Sequence, residues 1–282
     1  MTLHPPTQSG EPTADPAIRA GERVVVFEAA TGFRHLLACD GGGARKHKGL
    51  GVLDPGKWVG LPWGSRLDVA GKPVVLLRPT LADLAATLAR KAQVILPKDA
   101  SRILFELGVG PGGRVLESGI GSAGLTIPLC WAVGPAGRVV VQELRDDFAQ
   151  WGRGNVEKAG LADRLEVHVG DLTQGLAAGV RGPFHAAVLD QPEPWQAIPH
   201  VVPVLAPGAT LACYTPQVAQ MEQASKALTA AGFADVRQME LIERQWEVKE
   251  RGSRPSFEGL GHTGFLVFGR WLGSPAPPAP AS

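Results

Sequence analysis

The stretch RVLESGIGSAGLTIPL, residues 114–129, decides how the rest of the chain is read. Branched apolar residues lead into Glu117, and Gly119, Gly121 and Gly124 follow in G-x-G-x-x-G spacing. This order predicts a strand that stops, a turn that a ligand can approach because no Cβ intervenes, and then a helix. In open sheets of parallel strands, ligands bind beyond the carboxyl ends of the strands, so the turn marks a candidate site. The spacing alone is weak. A tight packing turn produces it, and so does a dinucleotide site with its pyrophosphate on the helix N-terminus.

Working outward, GRVLES, RVVVQEL, LEVHVGD, HAAVLD and TLACYTP alternate with the helical stretches DDFAQWGRGNVEKAG and QVAQMEQASKALTAAG. Such alternation predicts an α/β domain, a doubly wound Rossmann-like sheet covered by helices. VRQMELIERQWEV and TGFLVFGRW close it as a terminal antiparallel hairpin-like pair. Upstream, Pro97 opens a helix that carries Ala100, Ile103, Leu104 and Leu107 on one face, and Gly108 ends it. Residues 79–92, PTLADLAATLARKA, read as a connecting helix with Leu81, Leu84 and Leu88 in register. Short runs separated by glycine (RVVVFEA, HLLACD, KWVGLPWG, RLDVAG and PVVLLRP) predict a small, mostly-β N-terminal domain over residues 21–78. The expected organisation is therefore a disordered segment 1–20, the β-rich domain 21–78, the α/β domain with its leading helices 79–272, and a disordered Pro/Ala tail 273–282.

The 282 residues carry 28 basic and 27 acidic side chains, so any contact with nucleic acid has to use local patches. Cys39, Cys130 and Cys213 are scattered and odd in number, with neither disulfide nor metal spacing. A reduced, cytoplasmic setting and no metal are expected. No apolar run approaches the roughly 18 residues that span a bilayer, and the N-terminus lacks the order of a signal peptide. A membrane is therefore not an expected partner.

Charge separates the candidate ligands. Glu117 stands before the first glycine, where it repels a pyrophosphate and suits a cationic amino group. Glu143 ends the second strand, placed to accept hydrogen bonds from both hydroxyls of a ribose. Asp171 ends the third and is suited to accept from an adenine amine. Such an acid is also commonly a helix cap or simply solvated. Taken together, the acids describe a ligand with an ammonium, a ribose diol and an adenine, but no phosphate: S-adenosyl-L-methionine. Asp190 ends the fourth strand in VLDQPEPW, stiffened by Pro192 and Pro194, with Trp195 as a flat face or a core side chain. A rigidly held carboxylate beside a methyl donor is a catalytic candidate.

QVILPKDASRIL, RVLESGIGSAGLT, VVVQELR, VLDQPEPW, ERQWEV and GHTGFLV occur in this order. From about residue 20 to 272 the chain resembles the bacterial tRNA (adenine-N1) methyltransferases that modify position 58 of the T-loop, class I enzymes that use S-adenosylmethionine. The resemblance implies a homotetramer that takes tRNA. It places Gln93 against the donor pocket; Ser122, Ala123, Gly124 and Leu125 on the methionine side; Glu143 on the ribose; Asp171 at the adenine; and Asp190 as the catalytic carboxylate. Ala123 stands where the family often has glycine, Phe148 where it often has histidine, and Pro128 predicts a kink in the helix after the turn. For RNA, the candidates are Arg45, Lys46 and Lys48 in ARKHKG, Arg244 near the terminal pair, Tyr214 as a pocket wall, and His262. Two further readings stay open: a related methyltransferase with another acceptor, such as a different RNA position or a protein carboxylate, and a non-catalytic RNA-binding subunit of a methyltransferase complex. A dinucleotide oxidoreductase is the weakest rival.

Overall fold

The computed structural model describes residues 16–274, and these divide into two compact units between Asp83 and Leu84. The expectations for residues 1–15 and 275–282 lie outside the described residues.

The first unit is built on a four-stranded antiparallel sheet. β1 (Arg23–Glu28) and β2 (Phe33–Ala38) form a hairpin, β3 (Arg45–His47) and β4 (Gly51–Leu53) a separate short ribbon, and β5 (Arg66–Val69) and β6 (Lys72–Leu77) return, giving the order β2-β1-β6-β5. Val24 and Val26 of β1 and Val74 and Leu76 of β6 bury the same face against Ile18, Cys39 and Trp58, as strand alternation requires. Ile18 corrects the expectation of disorder up to residue 20, because it is buried and its amide donates to Leu61 O at 2.9 Å. KWVGLPWG also differs from its reading as a strand. Asp54 accepts from Gly56 N, Pro55 opens the turn, and Pro55–Trp58 is a single turn of 3-10 helix.

Where the two units divide, Thr80 and Asp83 cap each other reciprocally at the start of α1 (Leu81–Ala86). The helix stops there and does not run to residue 92. Further on, the carbonyl of Ala89 and the amides of Lys91 and Ala92 bond to distant side chains instead of to a helical ladder.

In the second unit α2 (Pro97–Leu107) ends at Gly108 with φ 61°, the left-handed cap expected there. Then β7 (Arg114–Ser118), α3 (Thr126–Val133), β8 (Arg138–Glu143), α4 (Asp146–Ala159), β9 (Leu165–Val169), β10 (Phe184–Leu189), α5 (Pro194–Val201), β11 (Leu205–Thr215) and α6 (Val218–Ala230) alternate. The last strands are β12 (Ala234–Glu240), the ribbon β13 (Trp246–Lys249) with β14 (Gly252–Pro255), and β15 (Phe265–Arg270). The main sheet has the order β12-β15-β11-β10-β7-β8-β9, parallel from β9 to β11, with β15 antiparallel to both of its neighbours. The expected terminal pair is therefore β12 with β15, and the β13–β14 ribbon is inserted between them. Leu116, Leu189 and Leu211 of the strands and Ile198 and Leu228 of α5 and α6 share one core. Pro128 does not interrupt α3: it is the third residue of the helix, within the first turn, where a missing amide is best tolerated.

From β7 the chain winds outward through β8 and β9, then crosses back to β10 on the other side of β7. This reversal opens a crevice at the carboxyl ends of β7 and β10, the usual ligand position in such sheets.

Candidate functional site

A cavity of about 480 Å³ lies at this crevice, and Gly119, Gly121, Glu143, Asp171 and Asp190 all line it. Its charged lining is four carboxylates, Glu193 being the fourth, against the single guanidinium of Arg145. A pyrophosphate is disfavoured there, while a cation with a ribose and an uncharged base suits it. Gly121 has φ 49° and faces open space, so the backbone approaches a ligand there without a Cβ. Gly119 serves another purpose: a Cβ on it would lie 2.4 Å from Asp190 O, so its absence lets the tips of β7 and β10 close together.

The acids differ in what they do. Glu143 Oε2 accepts from Ile120 N at 3.0 Å and Gly121 N at 3.4 Å, and its Oε1 accepts from Arg145 N at 3.0 Å, so it holds the turn as well as facing the cavity. Asp171 Oδ1 accepts from Thr173 N and Oγ1, which caps a short 3-10 turn and lowers its pKa. It is both cap and cavity wall. Asp190 is half-buried at the switch point. Desolvation, and then the nearby Glu143 charge, push its carboxyl up to about 7. Ser118 Oγ donates to Gln191 Oε1 beside it. Trp195 packs partly buried against the core.

Glu117 is 1% exposed and does not line the cavity. Burial above all, with the charges of Asp190 and Glu143 adding to it, raises its carboxyl well above the usual range. Thr126 lies close enough to oppose this, yet Oε2 has no hydrogen-bond partner of standard geometry. The acid expected at the door of the site is thus beneath its floor, because β7 is buried on both faces.

Ser122, Ala123, Gly124 and Leu125 also stand behind the cavity rather than in its lining. Ser122 Oγ accepts from Lys91 N and Ala92 N. A Cβ on Gly124 would lie 2.8 Å from Val94 Cβ, so this glycine admits a protein segment, not a ligand. Ala123 takes φ 65°, a left-handed conformation usually left to glycine. Gln93 is exposed and outside the lining, whereas its neighbour Ala92 lines it. Phe148 lines the cavity in place of the expected histidine, its ring between Arg145 Cζ at 3.6 Å and Lys91 Nζ at 4.8 Å. Leu144, Gln191 and Gln196 line the cavity too, and sequence reasoning missed them: nothing in their spacing marks them.

The remaining candidates fall elsewhere. Tyr214 donates to Thr263 O at 2.8 Å, burial raises its hydroxyl to about 12, and it is outside the cavity lining. Gly264 leaves the room its ring needs. Lys98, Asp99 and Thr263 form a buried polar knot beside it: Lys98 Nζ bonds Asp99 Oδ1 and Thr263 Oγ1, which in turn donates to Asp99 Oδ2. His262 places Nδ1 2.6 Å from Glu240 Oε1 and Nε2 2.9 Å from Pro216 O. Two acceptors demand two N–H groups, so the imidazolium form is favoured and its pKa is raised. In the first unit Arg45 pairs with Asp40 at 2.6 Å, while Lys46 and Lys48 are exposed. Arg244 is exposed on the loop before β13. Among the described residues no group of acids, histidines and cysteines could hold a metal, and no helix is long and apolar enough to cross a membrane.

A glycine turn at the switch point, an acid at or just beyond the carboxyl end of each of β8, β9 and β10, and a seven-stranded sheet with one reversed strand define a class I S-adenosylmethionine-dependent methyltransferase. Within that class, residues 72–254 match the model of the tRNA methyltransferase complex GCD14 subunit family, and the chain belongs to that family. It is 33% identical over 257 residues to the tRNA (adenine(58)-N(1))-methyltransferase TrmI of Thermus thermophilus, covering 91% of this chain and 96% of the relative. It is 29% identical over 236 residues to the tRNA (adenine(57)-N(1)/adenine(58)-N(1))-methyltransferase TrmI of Methanocaldococcus jannaschii, covering 74% and 81%. Among solved structures, TrmI of Aquifex aeolicus superposes with TM-score 0.67 at 27% identity over 90% of this chain and 98% of that one. A SAM-dependent O-methyltransferase of Thermotoga maritima superposes with TM-score 0.75 at 26% identity over 91% and 95%.

Proposed function

We propose that this protein transfers a methyl group from S-adenosylmethionine to N1 of adenine 58 in the T-loop of tRNA. The observation that carries the reading is Asp190 at the switch point, beside a cavity whose acids suit a cationic nucleoside. Membership of the family and the names of both TrmI relatives support the acceptor. In this reading the residues lining the cavity hold the donor, which supplies an electrophilic methyl on a positively charged sulfur. Glu143 takes the ribose hydroxyls, Asp171 the adenine end, and the backbone at Gly119 and Gly121 the rest. Adenine N1 has a free lone pair, so no proton has to leave it. Asp190, as carboxylate, accepts from the exocyclic amine, orients the base and stabilises the positive charge the ring gains on methylation. Holding the two partners in line supplies much of the remaining rate. A base stacked in a folded T-loop has to be turned out to reach this crevice.

Lys46, Lys48 and Arg244 are proposed to contact phosphate, which gives affinity without sequence reading. A cytoplasmic homotetramer is part of the same proposal. The exposed Trp246, Val248, Phe257 and Leu260 offer apolar surface of the kind that assembly covers. The deciding experiment incubates the protein with unmodified tRNA and labelled donor, then maps the methyl by nuclease digestion and mass spectrometry. Label at N1 of adenine 58 is expected. Label on another nucleotide or on the protein itself, or no transfer, rejects the reading.

A further inference from the structure

We infer that Asn155 is a positioning residue for the methyl donor: it fastens residues 89–95 to the glycine turn and thereby fixes one wall of the donor cavity. This rests on the assignment of that cavity to the donor. Asn155 lies on α4, 5% exposed, and its Nδ2 donates to Ala89 O at 2.9 Å and to Ser122 O at 3.1 Å. Both amide hydrogens are spent, one on each of the two segments it joins. Ser122 answers from the turn, its Oγ accepting from Lys91 N at 3.0 Å and Ala92 N at 3.2 Å. Four residues before Asn155, Trp151 Nε1 donates to the same Ala89 O at 2.9 Å. Four before that, Asp147 Oδ2 lies 2.5 Å from Lys91 Nζ. Asp147, Trp151 and Asn155 thus form one stripe along α4 that grips a segment with no regular structure. The bare Gly124 lets Val94 sit down on the turn.

The segment contributes Ala92 to the cavity lining, and the helix that holds it contributes Phe148. When the segment is loose, a ligand has to order it on binding, and that cost weakens affinity without touching the reacting atoms. The consequence falls on the donor dissociation constant and spares turnover at saturation.

The test uses the full chain as Asn155→Ala and Asn155→Asp. Calorimetry with S-adenosylmethionine, well below the melting temperature, is expected to show Kd raised about tenfold, the scale of a lost pair of buried hydrogen bonds. The turnover number with saturating donor and tRNA is expected to stay within about twofold. Without donor, hydrogen exchange at the amides of Lys91 and Ala92 should accelerate relative to β7. A melting temperature that falls while Kd and exchange stay at parental values overturns the inference, because Asn155 then serves the fold alone. Where Asn155 variants do not fold, Trp151→Phe keeps an aromatic side chain, smaller than the indole, and removes the Nε1 donor. It is expected to raise Kd roughly twofold to threefold, and an unchanged Kd there overturns the inference equally. Glu143→Gln separates the two layers. Parental donor affinity in that variant defeats the cavity assignment itself, whereas lost affinity there with parental affinity in the Asn155 variants defeats only the present inference.

Discussion

Asp190 holds a carboxyl that ionises near neutrality in the free protein, because desolvation and Glu143 both disfavour its charge. The protonated carboxyl can still accept from the exocyclic amine through its carbonyl oxygen, but only the carboxylate offsets the charge of a methylated base. The profile of kcat/KM against pH reports the free enzyme, so it is expected to rise through about pH 7 and then level. The kcat limb should lie at lower pH, since a bound cation favours ionisation. Asp190→Ala is expected to keep donor affinity within a few-fold, lose roughly 100-fold or more in kcat, and lose the neutral limb. Parental turnover in that variant would refute the assigned role. Asp190 was legible from sequence because it ends an apolar run and meets a proline-stiffened exit. Glu117 was not. A strand covered on both faces hides an acid whichever way it points, and alternation gives no clue to which side opens on the ligand.

Among the elements, the glycine turn divides its labour. Gly121 faces open space, Gly119 lets two strand tips meet, and Gly124 admits Val94. Gly119→Ala combines a left-handed φ of 85° with a contact at 2.4 Å to a backbone oxygen that cannot step aside. It is expected to cost on the order of 3 kcal/mol in chemical denaturation and to displace Asp190. Gly121→Ala meets no atom and is expected to cost only about 1 kcal/mol of backbone strain, so near-equal losses would contradict this division. The alternation of strand and helix was readable from β7 to β11 through the strand runs and the helices α4 and α6, but α5 was not, and VRQMELIERQWEV, read as one extended run, is divided between β12 and β13. The segment 87–95 was not readable either. Leu81, Leu84 and Leu88 fall in helical register, but the groups that hold the backbone beyond α1 lie on the turn and on α4, far along the chain. KWVGLPWG, residues 57–64, misled for a similar reason: its apolar content suits a strand, while Asp54 and Pro55 just before it dictate a turn that takes in Lys57 and Trp58.

For the molecule as a whole, two acids with raised pKa tie stability to pH. Between the ordinary carboxylate range and about 7, the folded chain keeps a proton on Asp190 that the unfolded chain has released. Stability from this group is therefore greatest at low pH and is lost as pH rises through that window, and the buried Glu117 pushes in the same direction. His262 acts likewise, its tie to Glu240 and Pro216 weakening as the imidazolium is lost. A cationic donor offsets the carboxylate repulsion, so the rise in melting temperature on adding S-adenosylmethionine is expected to be larger at pH 8 than at pH 5.5. Calorimetric scans at the two pH values check this, and an equal or inverted shift would rule out the acid cluster as the source of donor preference.

The reversed strand β15 lies between β11 and β12, pairing with both. During synthesis it emerges after every other strand of the sheet. Until it arrives, β11 presents a bare row of amides and carbonyls along an apolar strand, a template for pairing with a neighbouring nascent chain. The vulnerable interval therefore lasts until β15 has left the ribosome, and a premature stop before Phe265 should yield inclusion bodies rather than a weakened enzyme.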